Sequence, residues 1–264
     1  MTGRLQDRVA IVFGAGGGPD GVTNGQAAAL TYARAGARVI AVDLSAEAAR
    51  HTVSSIEEEG GQAIAVTADA ADPESVATAV GEGISAFGTI DVLHNNVGVT
   101  VLGTPVELDF ADWRRAFTIN TDTVFHTMKH VLPIMLGQQR GAIVNVSSIA
   151  SLRDIGYPYP AYMASKAAVN QATVSVAITY AAQGIRANCV APGLMDTPMV
   201  RRQLHSQADS IDELLTKRRA ATPTGSMGTC WDVANASLFL ASDEAAYVNG
   251  VCLPVDGGLT ARSV

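Results

Sequence analysis

The feature that most constrains this chain is the regular alternation of short apolar runs with longer amphipathic stretches. Strand candidates fall at 9–13, 38–42, 63–67, 92–94, 142–146, 186–190 and 251–255, rich in β-branched residues and bounded by Gly, Asp or Asn. Their near-continuous apolar character predicts a sheet covered on both faces. Helix candidates lie between them, at 26–34, 46–58, 74–86, 112–136, 162–182 and 231–241. Asn24, Ser45, Asp72-Pro73 and Asp112 read as helix starts, and Gly36, Gly60-Gly61 and Gly184 sit where helices should stop. Crossovers of this length give parallel strands. The expectation is an α/β chain: a single-domain, doubly wound parallel sheet of the Rossmann type, about seven strands with helices on both faces. No linker or repeat divides residues 1–264. The segment 194–225 is charged and breaks the alternation just past a strand's carboxyl end, which marks it as a substrate lid.

Composition removes several function classes. A net charge of −7 argues against a nucleic-acid or anionic-membrane surface. No apolar run is long enough to span a bilayer, and the first residues hold no apolar signal core. Cys189, Cys230 and Cys252 lack metal-ligand spacing and read as buried, reduced thiols of a cytoplasmic protein. His126 and His130 stand four apart but have no evident carboxylate or cysteine partner, so no metal is expected.

The first strand runs into the glycine-rich stretch 14–25, and a helix follows. Glycines there let the backbone approach a pyrophosphate, and free N–H groups at the helix start bind anions. Asp43 ends the second strand, where a carboxylate can accept from both hydroxyls of an adenine ribose and would repel a 2′-phosphate. The glycine loop has no Lys or Arg and carries Asp20, so the cofactor expected is NAD rather than NADP. Asp69 ends the third strand and could accept from the adenine amino group, with Ala70 beside it. Asn95-Asn96-Val97-Gly98 ends the fourth, and its amides either tie strands together or line the cofactor ribose.

Tyr162 and Lys166 are four apart on a helix candidate and so share a face. A neighbouring ammonium favours the phenolate and is expected to lower the Tyr162 pKa, making it a candidate general base for an alcohol. Ser147-Ser148 lies just upstream.

In the order and spacing of these marks the chain resembles the short-chain dehydrogenase/reductase family over nearly its whole length. The marks are the 14–25 loop, Asp69, Asn95-Asn96-Val97-Gly98, Asn120, Ser148, Tyr162-x-x-x-Lys166, Pro192-Gly193-Leu194-Met195-Asp196-Thr197 and Val255-Asp256-Gly257-Gly258. The resemblance implies a catalytic set of Asn120, Ser148, Tyr162 and Lys166, with Asn120 positioning a proton-relay water. It implies cofactor contacts from Gly14, Gly16, Gly17, Asp43, Asp69, Ala70, Asn95, Met195 and Thr197. Gly18, Gly25, Leu44, Val97, Pro192 and Gly193 complete the candidate cofactor set. It also implies a homotetramer or homodimer built through the helices carrying Asn120 and Tyr162. The loop departs from the family's pattern: Phe13 replaces a threonine, and extra residues separate Gly18 from Gly25.

The activity expected is NAD-dependent oxidation of a secondary alcohol or reduction of a ketone. A 3-oxoacyl-carrier-protein reductase and a non-catalytic NAD sensor are the alternatives. The substrate wall is expected to be mainly apolar, from Val99, Val101, Leu102, Ile149, Leu152, Tyr157, Tyr159, Leu194 and Met199. Arg153, Arg201, Arg202, Lys217, Arg218 and Arg219 are expected to be solvated.

Overall fold

The structure is a computed structural model that describes residues 3–198, 200–201 and 211–262. Met199, Arg202 and the stretch 202–210 of the expected lid lie outside the described residues. Seven strands form one sheet, β1 (Val9–Phe13), β2 (Arg38–Asp43), β3 (Gln62–Thr67), β4 (Val92–Asn95), β5 (Gly141–Val146), β6 (Ile185–Pro192) and β7 (Cys252–Val255). Their order is β3-β2-β1-β4-β5-β6-β7 and every pairing is parallel. This is the Rossmann-type α/β sheet that the alternation predicts.

Alternate residues of each strand feed opposite cores, as a side-chain period of two requires. Val9, Ile11 and Phe13 of β1 pack with Ile143 and Ile185 on one face, under α3 (Pro73–Phe87), α5 (Thr123–Gln138) and α6 (Pro160–Tyr180). Ala10 and Val12 pack with Val144 and Val190 on the other, under α1 (Asn24–Arg34), α2 (Ala46–Glu58) and α8 (Cys230–Ala241). A further helix, α7 (Ile211–Ala221), precedes α8 and buries Leu215. Among the described residues no helix is long and apolar enough to cross a membrane.

The helix starts show ordinary capping chemistry. Ser45 and Asp72 cap α2 and α3 through their side chains, with Pro73 in the first turn of α3. Thr23, rather than the expected Asn24, caps α1 by accepting from the Gln26 N–H. Gly88 and Gly184 close their helical segments in the left-handed conformation.

Two expectations need correction. The helix read over 112–136 begins earlier, as α4 (Phe110–Phe117) behind Asp109, and is broken by a π-helical turn at Thr118–Asp122 before α5. Asn120 lies in that turn, and its hydrogen bonds to the chain at Val99 hold the widened geometry. The three cysteines are free as expected, but Cys252 is only half-buried. It pairs in register with Cys189, whose thiol bonds Thr173 at 3.1 Å.

Candidate active site

Strand order reverses between β1 and β4, and a crevice of about 1230 Å³ opens at the carboxyl ends of the strands. Gly14, Gly16, Asp43, Leu44, Asp69 and Ala70 line one end of it. Val97 lines it beyond β4, Ser148 beyond β5, and Pro192, Gly193, Met195 and Thr197 at and beyond the end of β6, with Tyr162 and Lys166 lining it from α6.

The glycine loop is held by its neighbours on all sides. Asp43 accepts from the Gly16 N–H at 2.8 Å and from the Ser45 N–H at 3.0 Å. Thr52 and Thr23 donate to the Ala15 and Gly16 carbonyls, both at 2.7 Å. Gly14 has φ +76, and Asn96 donates to its carbonyl at 3.1 Å. A Cβ on Gly25 would stand 1.9 Å from that same carbonyl oxygen, so α1 can approach β1 only without a side chain there. Gly25→Ala is therefore expected to cost about 1–3 kcal/mol. Thermal melting checks this, and an unchanged Tm would show that the loop yields freely.

Not every candidate cofactor residue reaches the crevice. Gly17, Gly18 and Gly25 do not line it: Gly25 is packed at the helix base, while Gly18 pairs with Gly21 in a small excursion. Asn95 is buried and does not line the crevice. It donates to Asn145 at 2.8 Å, and Asn145 donates on to Thr173 of α6 at 2.8 Å. Strand parity turns Asn95 inward and leaves Asn96 at the crevice.

Tyr162 and Lys166 lie on successive turns of α6 and both line the crevice, Tyr162 half-buried and Lys166 buried. Lys166 Nζ donates to the Val146 carbonyl at 2.9 Å, and burial pulls its pKa down to about 8. The expectation that Lys166 lowers the Tyr162 pKa is not met here. Burial raises the phenol above its ordinary value, and it is the neighbouring Ser148 hydroxyl that draws it partly back. The reason is geometric, since the ammonium is directed to a strand carbonyl. Ser148 begins a short helical turn and accepts from the Ala150 N–H at 3.2 Å. Ser147 bonds instead to the Lys166 carbonyl and to Ser151.

Asn120 is fully buried and does not line the crevice. Its Oδ1 accepts from the Val99 N–H at 2.7 Å, and its Nδ2 donates to the Val99 carbonyl and to Ser165, both at 3.0 Å. The side chain thus ties the Val99 backbone to Ser165 of α6.

Of the residues expected in the substrate wall, Val99, Leu102, Tyr157, Tyr159 and Leu194 line the crevice. Val101, Ile149 and Leu152 do not line it, whereas Ile119, Ile155, Arg115 and Arg218, which the sequence did not single out for the wall, do. Arg218 in particular is not a solvated charge: it donates to the Tyr157 hydroxyl at 2.8 Å. Among the described residues no group of three His, Cys, Asp or Glu could hold a metal ion.

The shape suits a dinucleotide. A Cβ on Gly16 would stand 2.5 Å from the Asp43 carboxylate, and one on Gly98 3.0 Å from Lys166 Nζ, so bare backbone faces the crevice at both ends. A parallel sheet with a glycine turn, a carboxylate after β2 and a Tyr–Lys pair lining the crevice defines a nucleotide-dependent oxidoreductase. The comparisons with known proteins agree. A family model described as enoyl-(acyl carrier protein) reductase matches residues 22–260. The 2-(R)-hydroxypropyl-CoM dehydrogenase of Xanthobacter autotrophicus is 41% identical over 96% of this chain and 99% of its own. The cis-4-hydroxycyclohexanecarboxylate dehydrogenase of Sinomonas cyclohexanicum is 40% identical, covering 99% and 100%. A solved short-chain dehydrogenase/reductase from Burkholderia xenovorans superposes with a TM-score of 0.96 at 42% identity, over 99% of this chain and 100% of that one. A 7α-hydroxysteroid dehydrogenase solved with NADH and 7-oxo glycochenodeoxycholic acid gives a TM-score of 0.87 at 34% identity, over 97% and 95%. The chain belongs to the short-chain dehydrogenase/reductase family and is an oxidoreductase.

Proposed function

We propose that the protein is an NAD-dependent dehydrogenase of secondary alcohols, working in reverse as a ketone reductase, with Tyr162 as general acid and base. The observation that carries this reading is the convergence of Ser148, Tyr162 and Lys166 on one crevice whose other end holds Asp43. The relatives' names support it, being dehydrogenases of a hydroxypropyl and a hydroxycyclohexane compound. The Tyr162–Lys166 spacing supports carbonyl chemistry over the alkene reduction in the family model's description.

The nicotinamide, when bound, supplies the hydride acceptor. Ser148 and Tyr162 hydrogen-bond the substrate oxygen and fix it at the crevice wall. Tyr162 takes the hydroxyl proton in oxidation and returns it in reduction. Lys166, its ammonium held by the Val146 carbonyl at the crevice, would hold the nicotinamide ribose when the cofactor is bound. Asn120 acts at one remove, by locking Val99 and Ser165 and so the crevice floor and α6. Leu194, Met195, Thr197, Val200 and Arg218, the described residues of the 194–225 segment that line the crevice, are placed to cover the substrate. Exposed Phe125 on α5 and Ile178 on α6 support assembly through those helices into a dimer or tetramer.

The NAD preference rests on Asp43. Asp43→Ser should shrink the ratio of NAD-linked to NADP-linked kcat/KM by roughly 10–100-fold, the worth of a charge-assisted hydrogen bond. Steady-state rates with both cofactors test it. A wild-type enzyme faster with NADP than with NAD would reverse the assignment.

A further inference from the structure

Arg218 is the residue whose surroundings the proposed reaction leaves unexplained. It lies on α7 between Lys217 and Arg219, both exposed, yet it alone of the three lines the crevice. Its Nη1 donates to the Tyr157 hydroxyl at 2.8 Å, and its guanidinium carbon stands 5.8 Å from the centre of that ring. Tyr157 stacks on Tyr159 at 5.6 Å and 14°, and Tyr159 meets Tyr162 edge-on at 5.4 Å and 89°. A row of three rings therefore joins the guanidinium to the proposed acid/base.

This cation is short of acceptors. Among the described residues its one side-chain hydrogen-bond partner is the Tyr157 hydroxyl, and its Nε–H is buried with no partner. Among the described residues no carboxylate lies within ion-pair distance of it, whereas neighbouring Arg201 is gripped by Asp196 through two bonds of 2.7 Å. An unpaired buried donor on a charged group is costly, and a planar guanidinium is matched best by an oxyanion taking two N–H bonds. The other guanidinium lining the crevice, Arg115, adds to the same sign of charge. The carboxylates that line the crevice, Asp43 and Asp69, stand beyond β2 and β3 at the proposed cofactor end.

Building on the dehydrogenase reading, we propose that Arg218 anchors the substrate, selecting secondary alcohols that carry a carboxylate or similar oxyanion remote from the carbinol carbon. The tyrosine row sets the separation. It holds the anion away from Tyr162, where a second negative charge would oppose formation of the phenolate. Leu102, Ile155 and Leu194 contact the apolar body between the two polar ends.

The test compares hydroxycyclohexanecarboxylate with the matching carboxamide, using NAD. Wild type should favour the acid in kcat/KM by roughly 10–100-fold, the range of a charge-assisted hydrogen bond. Arg218→Met should collapse that ratio at least about tenfold, mainly through KM of the acid, and Arg218→Lys should restore part of it. An acid-to-amide ratio unchanged by Arg218→Met, or a wild type indifferent to the charge, overturns the proposal. Calorimetric titration with cyclohexanecarboxylate and cyclohexanecarboxamide, in the presence of NAD, reads the same preference without turnover. Acid binding that weakens about tenfold in Arg218→Met upholds the anchor even if neither alcohol is oxidised, an outcome that would instead defeat the dehydrogenase reading. Equal binding of acid and amide by wild type defeats the anchor alone.

Discussion

Replacing Tyr162 by Phe should lower kcat for alcohol oxidation by about 10²–10⁴-fold, the usual contribution of a positioned acid/base. The substitution removes one oxygen from a half-buried ring that Tyr159 already packs edge-on, so the local structure should persist. The phenol is proposed to act on the substrate proton, so cofactor affinity should stay within about threefold of wild type. Stopped-flow or steady-state reduction of NAD, together with fluorescence titration of NADH, separates the two effects. Turnover near the wild-type rate would remove Tyr162 from the chemistry. A parallel loss of NADH binding would recast it as a scaffold residue.

Lys166→Met should produce an opposite pair of effects, activity down and stability up. The ammonium is buried and its pKa falls from an ordinary 10.5 to about 8, so at neutral pH the fold bears the cost of keeping a charge out of water. That displacement corresponds to about 3 kcal/mol. Methionine matches the stem but leaves the Val146 carbonyl without its donor, a loss of about 1–2 kcal/mol. The net expectation is a gain of about 1–2 kcal/mol at pH 7, with kcat/KM falling at least about 100-fold. The sign of the pH dependence follows from proton counting. Between about pH 8 and 10.5 the unfolded chain holds more protons on this lysine than the folded one, so wild-type stability should gain a rising contribution across that window. In the variant that contribution should vanish. Urea unfolding of the cofactor-free protein at several pH values measures both, and a less stable variant at neutral pH would refute the cost assigned to the buried charge.

The sheet and its order were legible because they depend on repeated local signals. Apolar runs bounded by Gly, Asp or Asn fixed the strands to within a residue or two, and the spacing of Tyr162, Lys166 and Ser148 marked the site. What escaped depended on contacts between distant segments. Nothing near Asn120 announces a π-helical turn, since the bonds that hold it go to Val99 and Ser165. Asn95 and Asn96 are chemically identical neighbours, and only the register of β4 against β5 turns the first toward Asn145. Arg218 stands in a run of basic residues, and only the folding of α7 against Tyr157 separates it from Lys217 and Arg219.

The amide chain from Asn95 through Asn145 to Thr173 works like a keyway. Hydrophobic contacts would hold α6 against the sheet at many rotations about its own axis, because apolar surfaces slide with little penalty. The two directional bonds between these buried groups accept only one. That angular setting aims Tyr162 and Lys166 together at the crevice, so grafting the reactive trio onto another sheet without the key would deliver the right groups pointing the wrong way.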